Sequence, residues 1–394
     1  MGLHAGRHFL QIPGPTNVPD RVLRAMSMPT IDHRGAEFAE LGKTVLSGIK
    51  RIFKTSGPVV IFPGSGSGAW EAALVNTLSS GDQILMFETG HFANLWAALA
   101  KNLGLKVEML SGDWRSGVDV EQIKAVLAKD REKKIKAVAI VHNETSTGVT
   151  SNVKAVRSAI DQAEHSALLL VDTISSLGSI NYCHEEWEVD VTVGGSQKGL
   201  MLPPGLGFNA LSEKALAASE NASLPRSYWD WKSMLGPNQD GFFPYTPATN
   251  LLYGLREAIE MLEEEGLDQV FARHDRLAEA TRRAVRAWGL EIQCRSEKEH
   301  SSSLTTVRMP GGTGANALRG IISDHYDMSL GTGLAKLSDQ VFRIGHLGHF
   351  NELMLAGTLC GVEMGLTLAQ TSFKPGGVVS ALDYLAETAQ ANPS

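Results

Sequence analysis

Between Pro58 and Val193, short apolar runs alternate with stretches of helical periodicity, and this alternation does most to narrow the possible folds. Pro58–Phe62, Gln83–Phe87, Lys106–Leu110, Ile135–His142, Ala167–Asp172 and Val189–Val193 all have strand length. Helical stretches separate them: one running to about Leu78, then Phe92–Leu103, Asp119–Leu127 and Val153–Ala163. Strand and helix in turn predict a mostly parallel sheet with helices on both faces. Ligands of such sheets bind beyond the carboxyl ends of the strands.

The polar residues of interest fall at those ends. After Pro58–Phe62 comes Pro63-Gly64-Ser65-Gly66-Ser67-Gly68-Ala69-Trp70-Glu71. A Gly/Ser turn opening a helix presents backbone N–H groups to a phosphate. It is not a P-loop, because no Gly-Lys-Ser/Thr follows, and its glycine spacing falls short of a dinucleotide fingerprint. His142-Asn143-Glu144-Thr145 and Asp172 end two further runs, and Lys198 follows the last one within Gly194-Gly195-Ser196-Gln197-Lys198-Gly199. A lysine at the end of a buried strand, among glycines that permit close approach, is a candidate Schiff-base amine. Pyridoxal phosphate requires such a lysine for its aldehyde and an anion opposite its ring nitrogen, the part Asp172 can play. Taken singly, Lys198 reads as a solvated loop lysine and Asp172 as a helix cap. Four strand ends converging on one edge weigh against both readings.

Outside this alternation, Ile12-Pro13-Gly14-Pro15-Thr16-Asn17-Val18-Pro19 is too rich in proline for regular structure and reads as an ordered arm laid over the body. Asp32-His33-Arg34 reads as a polar turn. Helices are expected over Thr249–Glu265 and from Leu267 toward Trp288. Strands are expected at Leu304–Met309, Tyr326–Leu330 and Val341–His346, with a turn at Gly331-Thr332-Gly333 and a final helix over Asn351–Leu368. Arg343 lies inside an apolar strand. It is either one half of an internal salt bridge or a fork for a substrate carboxylate.

Composition excludes several classes. The chain has 394 residues and a formal charge of −7, which favours neither nucleic acid nor an anionic membrane as partner. Cys183, Cys294 and Cys360 follow no metal-ligand pattern and suit a reducing compartment. No apolar run approaches the roughly 20 residues that cross a bilayer. Met1–Phe9 has no apolar core of a secretory signal, and Gln390–Ser394 does not end in a peroxisomal tripeptide. The expected location is the cytoplasm.

Together these stretches resemble the class V aminotransferases of the pyridoxal-phosphate fold type I, in the serine–glyoxylate and alanine–glyoxylate group. The resemblance runs nearly end to end, from the Pro-Gly-Pro-Thr-Asn arm through Gly64–Glu71, His142–Val149, Val171-Asp172, Gly195–Lys198 and Pro244-Tyr245-Thr246-Pro247 to Phe342–His346. It implies a mostly parallel seven-stranded sheet with helices on both faces and a smaller α+β C-terminal domain. The chain would divide into an arm (1–19), a large cofactor domain (20–265) and a small domain (266–394).

It implies that Lys198 binds pyridoxal 5'-phosphate and shuttles a proton, and that Asp172 pairs with the ring nitrogen. Ser65, Gly66, Ser67 and Gln197 match phosphate-binding positions. Tyr245 and Thr246 would reach the phosphate from the other subunit of a homodimer. Thr145 matches a position near the ring hydroxyl, Ile174 one packed on the ring, and Phe92 one that stacks on it, where relatives sometimes carry Trp. Arg343 matches the substrate-carboxylate arginine. The implied reaction is ping-pong transamination from a small amino acid, serine first and aspartate or alanine as alternatives, to glyoxylate. Cysteine desulfuration is disfavoured, because Ser329–Leu334 holds no cysteine and Cys360 falls in an expected helix. A nucleotide-binding oxidoreductase using Gly64–Gly68 would leave Lys198 and Arg343 without roles.

Overall fold

The computed structural model describes residues 5–311 and 314–389. Gln390–Ser394, and the first four residues of Met1–Phe9, lie outside the described residues, so the targeting expectations placed there have no structural counterpart.

The arm carries strand β1 (Phe9–Gln11) and leads through helix α1 (Asp20–Met26) to α2 (Ala36–Phe53). The alternation then runs β2 (Val59–Gly64), α3 (Gly66–Thr77), β3 (Gln83–Phe87), α4 (His91–Asn102), β4 (Lys106–Leu110), α5 (Val120–Lys129) and β5 (Ile135–Val141). A small hairpin, β6 (Asn143–Glu144) and β7 (Val149–Thr150), precedes α6 (Val153–Gln162), β8 (Leu168–Asp172), β9 (Val191–Gly195) and β10 (Gly205–Leu211). Helices α7 (Glu213–Ser219), α8 (Trp231–Asn238), α9 (Thr249–Glu265) and α10 (Leu267–Ala287) follow. The remainder comprises β11 (Glu291–Ile292), β12 (Leu304–Arg308), α11 (Ala315–Tyr326), β13 (Met328–Thr332), β14 (Val341–Gly345), α12 (Glu352–Leu368) and α13 (Gly377–Ala389).

Seven strands form the main sheet in the order β2-β10-β9-β8-β5-β3-β4. All neighbours pair parallel except β10, which is antiparallel to β2 and β9. Successive side chains feed opposite cores, as a sheet covered on both faces requires. Ile84 and Met86 of β3 pack with Trp70, Trp96 and Trp231 on one side, while Leu85 and Phe87 pack with Ile123, Val156 and Ile160 on the other. A five-stranded sheet, β1-β13-β14-β12-β11, supports a separate core around Trp288, Phe342, Ile344 and Leu359.

Three local expectations are corrected. Strand β10 was not foreseen, since Gly-Leu-Gly-Phe-Asn-Ala-Leu has little strand propensity. Its Gly207 is small because a Cβ there would lie 2.9 Å from the Ser65 carbonyl oxygen, so the glycine lets α3 approach the sheet. Gly331 and Thr332 belong to β13, paired with Arg343 and Phe342, and do not form the expected turn. Gly331 is there for close approach: a Cβ would sit 2.7 Å from Pro13 Cδ. Finally, α12 is followed by α13, whose start is fastened by Glu363, accepting the Gly376 and Val378 N–H groups at 3.0 Å each.

Candidate active site

At the carboxyl edge of the main sheet, the turn after β9 brings Lys198 back beneath the arm. Lys198 is buried, and its Nζ donates to the Pro13 carbonyl. Its stem lies against Gly14, at φ +94°, where a Cβ would come within 2.3 Å of Lys198 Cδ, so only glycine fits. Thr16 ties the arm to this turn, donating its N–H to the Gln197 carbonyl at 3.1 Å and its hydroxyl to the Lys198 carbonyl at 3.2 Å. Burial, and then the charge of Arg343, lowers the Lys198 amine to about 7, with Asp172 pulling the other way.

Asp172 ends β8. Its Oδ1 accepts from the Ile174 N–H at 2.7 Å and its Oδ2 from Trp70 Nε1 at 3.0 Å, so both oxygens are fixed in orientation. Burial pushes this carboxyl up to about 7; the Ile174 bond opposes the shift and the charge of Glu144 adds to it. A cation placed against it would restore the ionised form.

A cavity of about 170 Å³ connects these two residues and is lined by Ser65, Gly66, Ser67, Phe92, Thr145, Ile174 and Gln197. The carboxyl edge therefore brings together most of the residues singled out from sequence. Ser65 precedes α3 without capping it, so the first-turn N–H groups have no intrahelical acceptor and point out of the helix. A Cβ on Gly66 would lie 2.2 Å from Ile174 Cδ1. Among the described residues no protein group bonds the Gln197 side chain, and its buried Oε1 is unpartnered. An open helix end, an unengaged amide, an oriented carboxylate and a buried lysine of lowered basicity fit pyridoxal phosphate.

Arg343, in β14, is buried beside this cavity. Its Nε donates to the Thr332 carbonyl at 2.7 Å and its Nη1 to the Thr145 carbonyl at 2.8 Å. Among the described residues no carboxylate lies within salt-bridge distance, so the guanidinium is held by two backbone carbonyls and not by an internal ion pair. Burial lowers its guanidinium to about 10, and Glu144 opposes the shift.

Tyr245 and Thr246 lie elsewhere in this chain. Tyr245 lines a surface cavity with His33 and Arg34, and Thr246 a neighbouring one with Thr30 and His33. The Tyr245 ring stacks on Tyr228 at 4.7 Å, and its buried hydroxyl has no partner among the described residues. Asp32-His33-Arg34 thus neighbours this loop, away from the Lys198 cavity.

Two further residues, Trp70 lining the cavity and Glu144 behind it, have functions that sequence reasoning misses. Trp70 follows Gly66 by four residues, hence about one helical turn, and that spacing could have placed it on the same face. Glu144 has one local partner, Ser146, but its bonds to α4 carry no comparable local signal. Among the described residues no group of His, Cys, Asp and Glu could hold a metal, and no helix is long and apolar enough to cross a membrane.

A family model described as aminotransferase class-V matches residues 8–335. This chain is a class V aminotransferase. Among its relatives, a protein of Methylorubrum extorquens named serine–glyoxylate aminotransferase is 47% identical over 389 residues, covering 97% of each chain. A Paracoccus denitrificans protein named L-aspartate–glyoxylate aminotransferase is 41% identical over 382 residues, covering 96% of each. The crystal structure of ureidoglycine–glyoxylate aminotransferase from Bacillus subtilis superposes with a TM-score of 0.89 at 26% identity, over 98% of this chain and 100% of that one. The aminotransferase fold type I expected from the sequence is therefore the observed one.

Proposed function

We propose that this enzyme uses pyridoxal phosphate to transfer the amino group of L-serine to glyoxylate, giving hydroxypyruvate and glycine by a ping-pong mechanism. The observation that carries an amino-acid substrate is Arg343, a buried fork held by two backbone carbonyls and paired with no carboxylate among the described residues. Serine as donor draws on the Methylorubrum relative, and the Paracoccus relative makes aspartate the second reading.

When bound, the cofactor supplies an aldehyde for the donor nitrogen and a protonated ring that accepts electrons released at Cα. The α3 N-terminus, Ser65, Ser67 and Gln197 would hold its phosphate, and Phe92 and Ile174 would confine the ring. Asp172, oriented by Trp70 and Ile174, would keep the proton on the ring nitrogen. Thr145 would approach the ring hydroxyl. Lys198 would hold the aldehyde of the bound cofactor, and its Nζ, whose basicity burial lowers in the cofactor-free chain, would take the Cα proton and return it. Arg343 receives the carboxylate of donor and acceptor alike.

We further infer a cytoplasmic homodimer in which Tyr245 and Thr246 complete the neighbouring subunit's phosphate site, a reading supported by the unpartnered Tyr245 hydroxyl. The large and small domains would divide at Gly266, between α9 and α10.

Arg343→Ala should raise KM for serine and glyoxylate together, by about 10- to 100-fold for loss of a charged contact. Unchanged steady-state constants for both would remove Arg343 from substrate binding. Initial-rate plots at several glyoxylate concentrations should be parallel, and an obligatory ternary complex would contradict the scheme.

A further inference from the structure

The Glu144 side chain is completely buried at the sheet edge, and no step above uses it. Its Oε1 accepts from the Phe92 N–H at 3.3 Å, the Ser146 N–H at 3.1 Å and the Ser146 hydroxyl at 2.6 Å. Its Oε2 accepts from the Ala93 N–H at 3.2 Å. Ser146 Oγ in turn accepts the His91 N–H at 2.9 Å. The three N–H groups that open α4 are thus bound by two side chains from another segment, and a carboxylate sits at the positive end of the helix. Gly90 makes room for this, since a Cβ there would lie 2.4 Å from Ser146 Oγ and 2.5 Å from Glu144 Cγ.

The residues next to this clamp are site residues. Phe92, whose N–H Glu144 holds, lines the cavity. So does Thr145, which lies between the two clamping residues. Its hydroxyl donates to Ser175 Oγ at 2.8 Å, and its carbonyl holds Arg343. One buried carboxylate therefore joins the wall expected to stack on the ring to the loop that carries the substrate fork.

We propose that Glu144, seconded by Ser146, is a positioning residue that fixes Phe92 and Thr145 relative to each other and so sets the tilt of the cofactor ring. This rests on the function proposed above. Glu144 does not line the cavity; it acts through the first turn of α4 and through Thr145, and its charge also bears on Asp172 and Arg343, an influence that Ser146→Ala leaves unchanged.

The test compares wild type with Glu144→Gln and Ser146→Ala. Glu144→Gln puts an NH2 group where an acceptor is needed. In cofactor-free protein, deuterium exchange at the amides of residues 91–93 should rise at least about tenfold. In loaded protein, the visible circular dichroism of the cofactor should change, and kcat should fall about tenfold or more while KM for serine moves less than about threefold. Ser146→Ala should move both readouts in the same direction by less, and it decides the matter if Glu144→Gln does not fold. Unchanged exchange, or unchanged dichroism despite faster exchange, would reduce Glu144 to a buried residue of the fold. Wild-type protein that forms no lysine-bound cofactor would instead overturn the proposed function, and the exchange experiment would still report whether the clamp exists.

Discussion

Two helices begin at the same sheet edge, and their first turns are treated in opposite ways. The N-terminus of α3 is left open: Ser65 makes no cap bond, and the space in front of it is cavity. The N-terminus of α4 is closed, with Glu144 and Ser146 filling the position an anion would take. Both ends offer backbone N–H groups and a positive dipole. The difference teaches that a helix start can seat a phosphate, as proposed for α3, only if the protein leaves its N–H groups without an acceptor of its own. At five other helices the chain supplies one: Asp119, Asn152, Ser212, Asp230 and Asn351 cap α5, α6, α7, α8 and α12.

The severest challenge to this contrast is Lys198→Ala. Activity should fall by about 10²- to 10⁴-fold with loss of the proton-transferring amine. The open end of α3 is untouched, so the variant should still bind pyridoxal phosphate noncovalently in equilibrium dialysis. Loss of all binding would mean that α3 contributes no seat of its own.

A second prediction concerns the cofactor-free protein. Lys198 falls from 10.5 unfolded to about 7 folded, so between those values the unfolded chain binds more protons and stability rises with pH. Asp172, raised from 3.8 to about 7, has the opposite sign at lower pH: stability falls as pH rises through that window. Lys198→Met should therefore melt above wild type at pH 7, and the advantage should shrink as pH approaches 10. An advantage independent of pH would mean that Lys198 is not held at a lowered value.

Smaller effects should separate the two helix ends directly. Gly66→Ala crowds Ile174 at the open end and should weaken cofactor binding by about 1–3 kcal/mol, with less effect on the apoprotein melting temperature. Gly90→Ala intrudes on the Glu144–Ser146 clamp and should cost about 1–3 kcal/mol of folding stability first. Titration calorimetry and thermal melts distinguish these outcomes, and equal profiles for the two variants would erase the contrast.

How much could be read from the sequence follows the same division. The open end was legible because its signal is local: an apolar run, then glycines and serines, then a helix. The strand ends that carry Asp172 and Lys198 were legible for the same reason, and a mostly parallel sheet followed from the alternation, while its seven strands were implied only by the family resemblance. The closed end was not, because Glu144 acts on amides some fifty residues away, at a separation no local pattern marks. Strand β10 was hidden by glycines, of which Gly207 serves packing against α3 and Gly205 lies against Leu251, and the start of α13 by a cap supplied from α12. Trp70 lay in plain view one turn into α3, yet its bond to Asp172 spans 102 positions. Arg343 could be singled out as a buried cation, but only the coordinates replace the ion pair with two carbonyls.

Single-turnover mixing of the loaded enzyme with L-serine, in the absence of glyoxylate, tests the central claim most directly. The visible absorbance of the lysine-bound cofactor should disappear with one equivalent of hydroxypyruvate formed, return on adding glyoxylate, and do so faster with serine than with aspartate or alanine. Conversion of aspartate far faster than serine, or no change until glyoxylate is present, would contradict it.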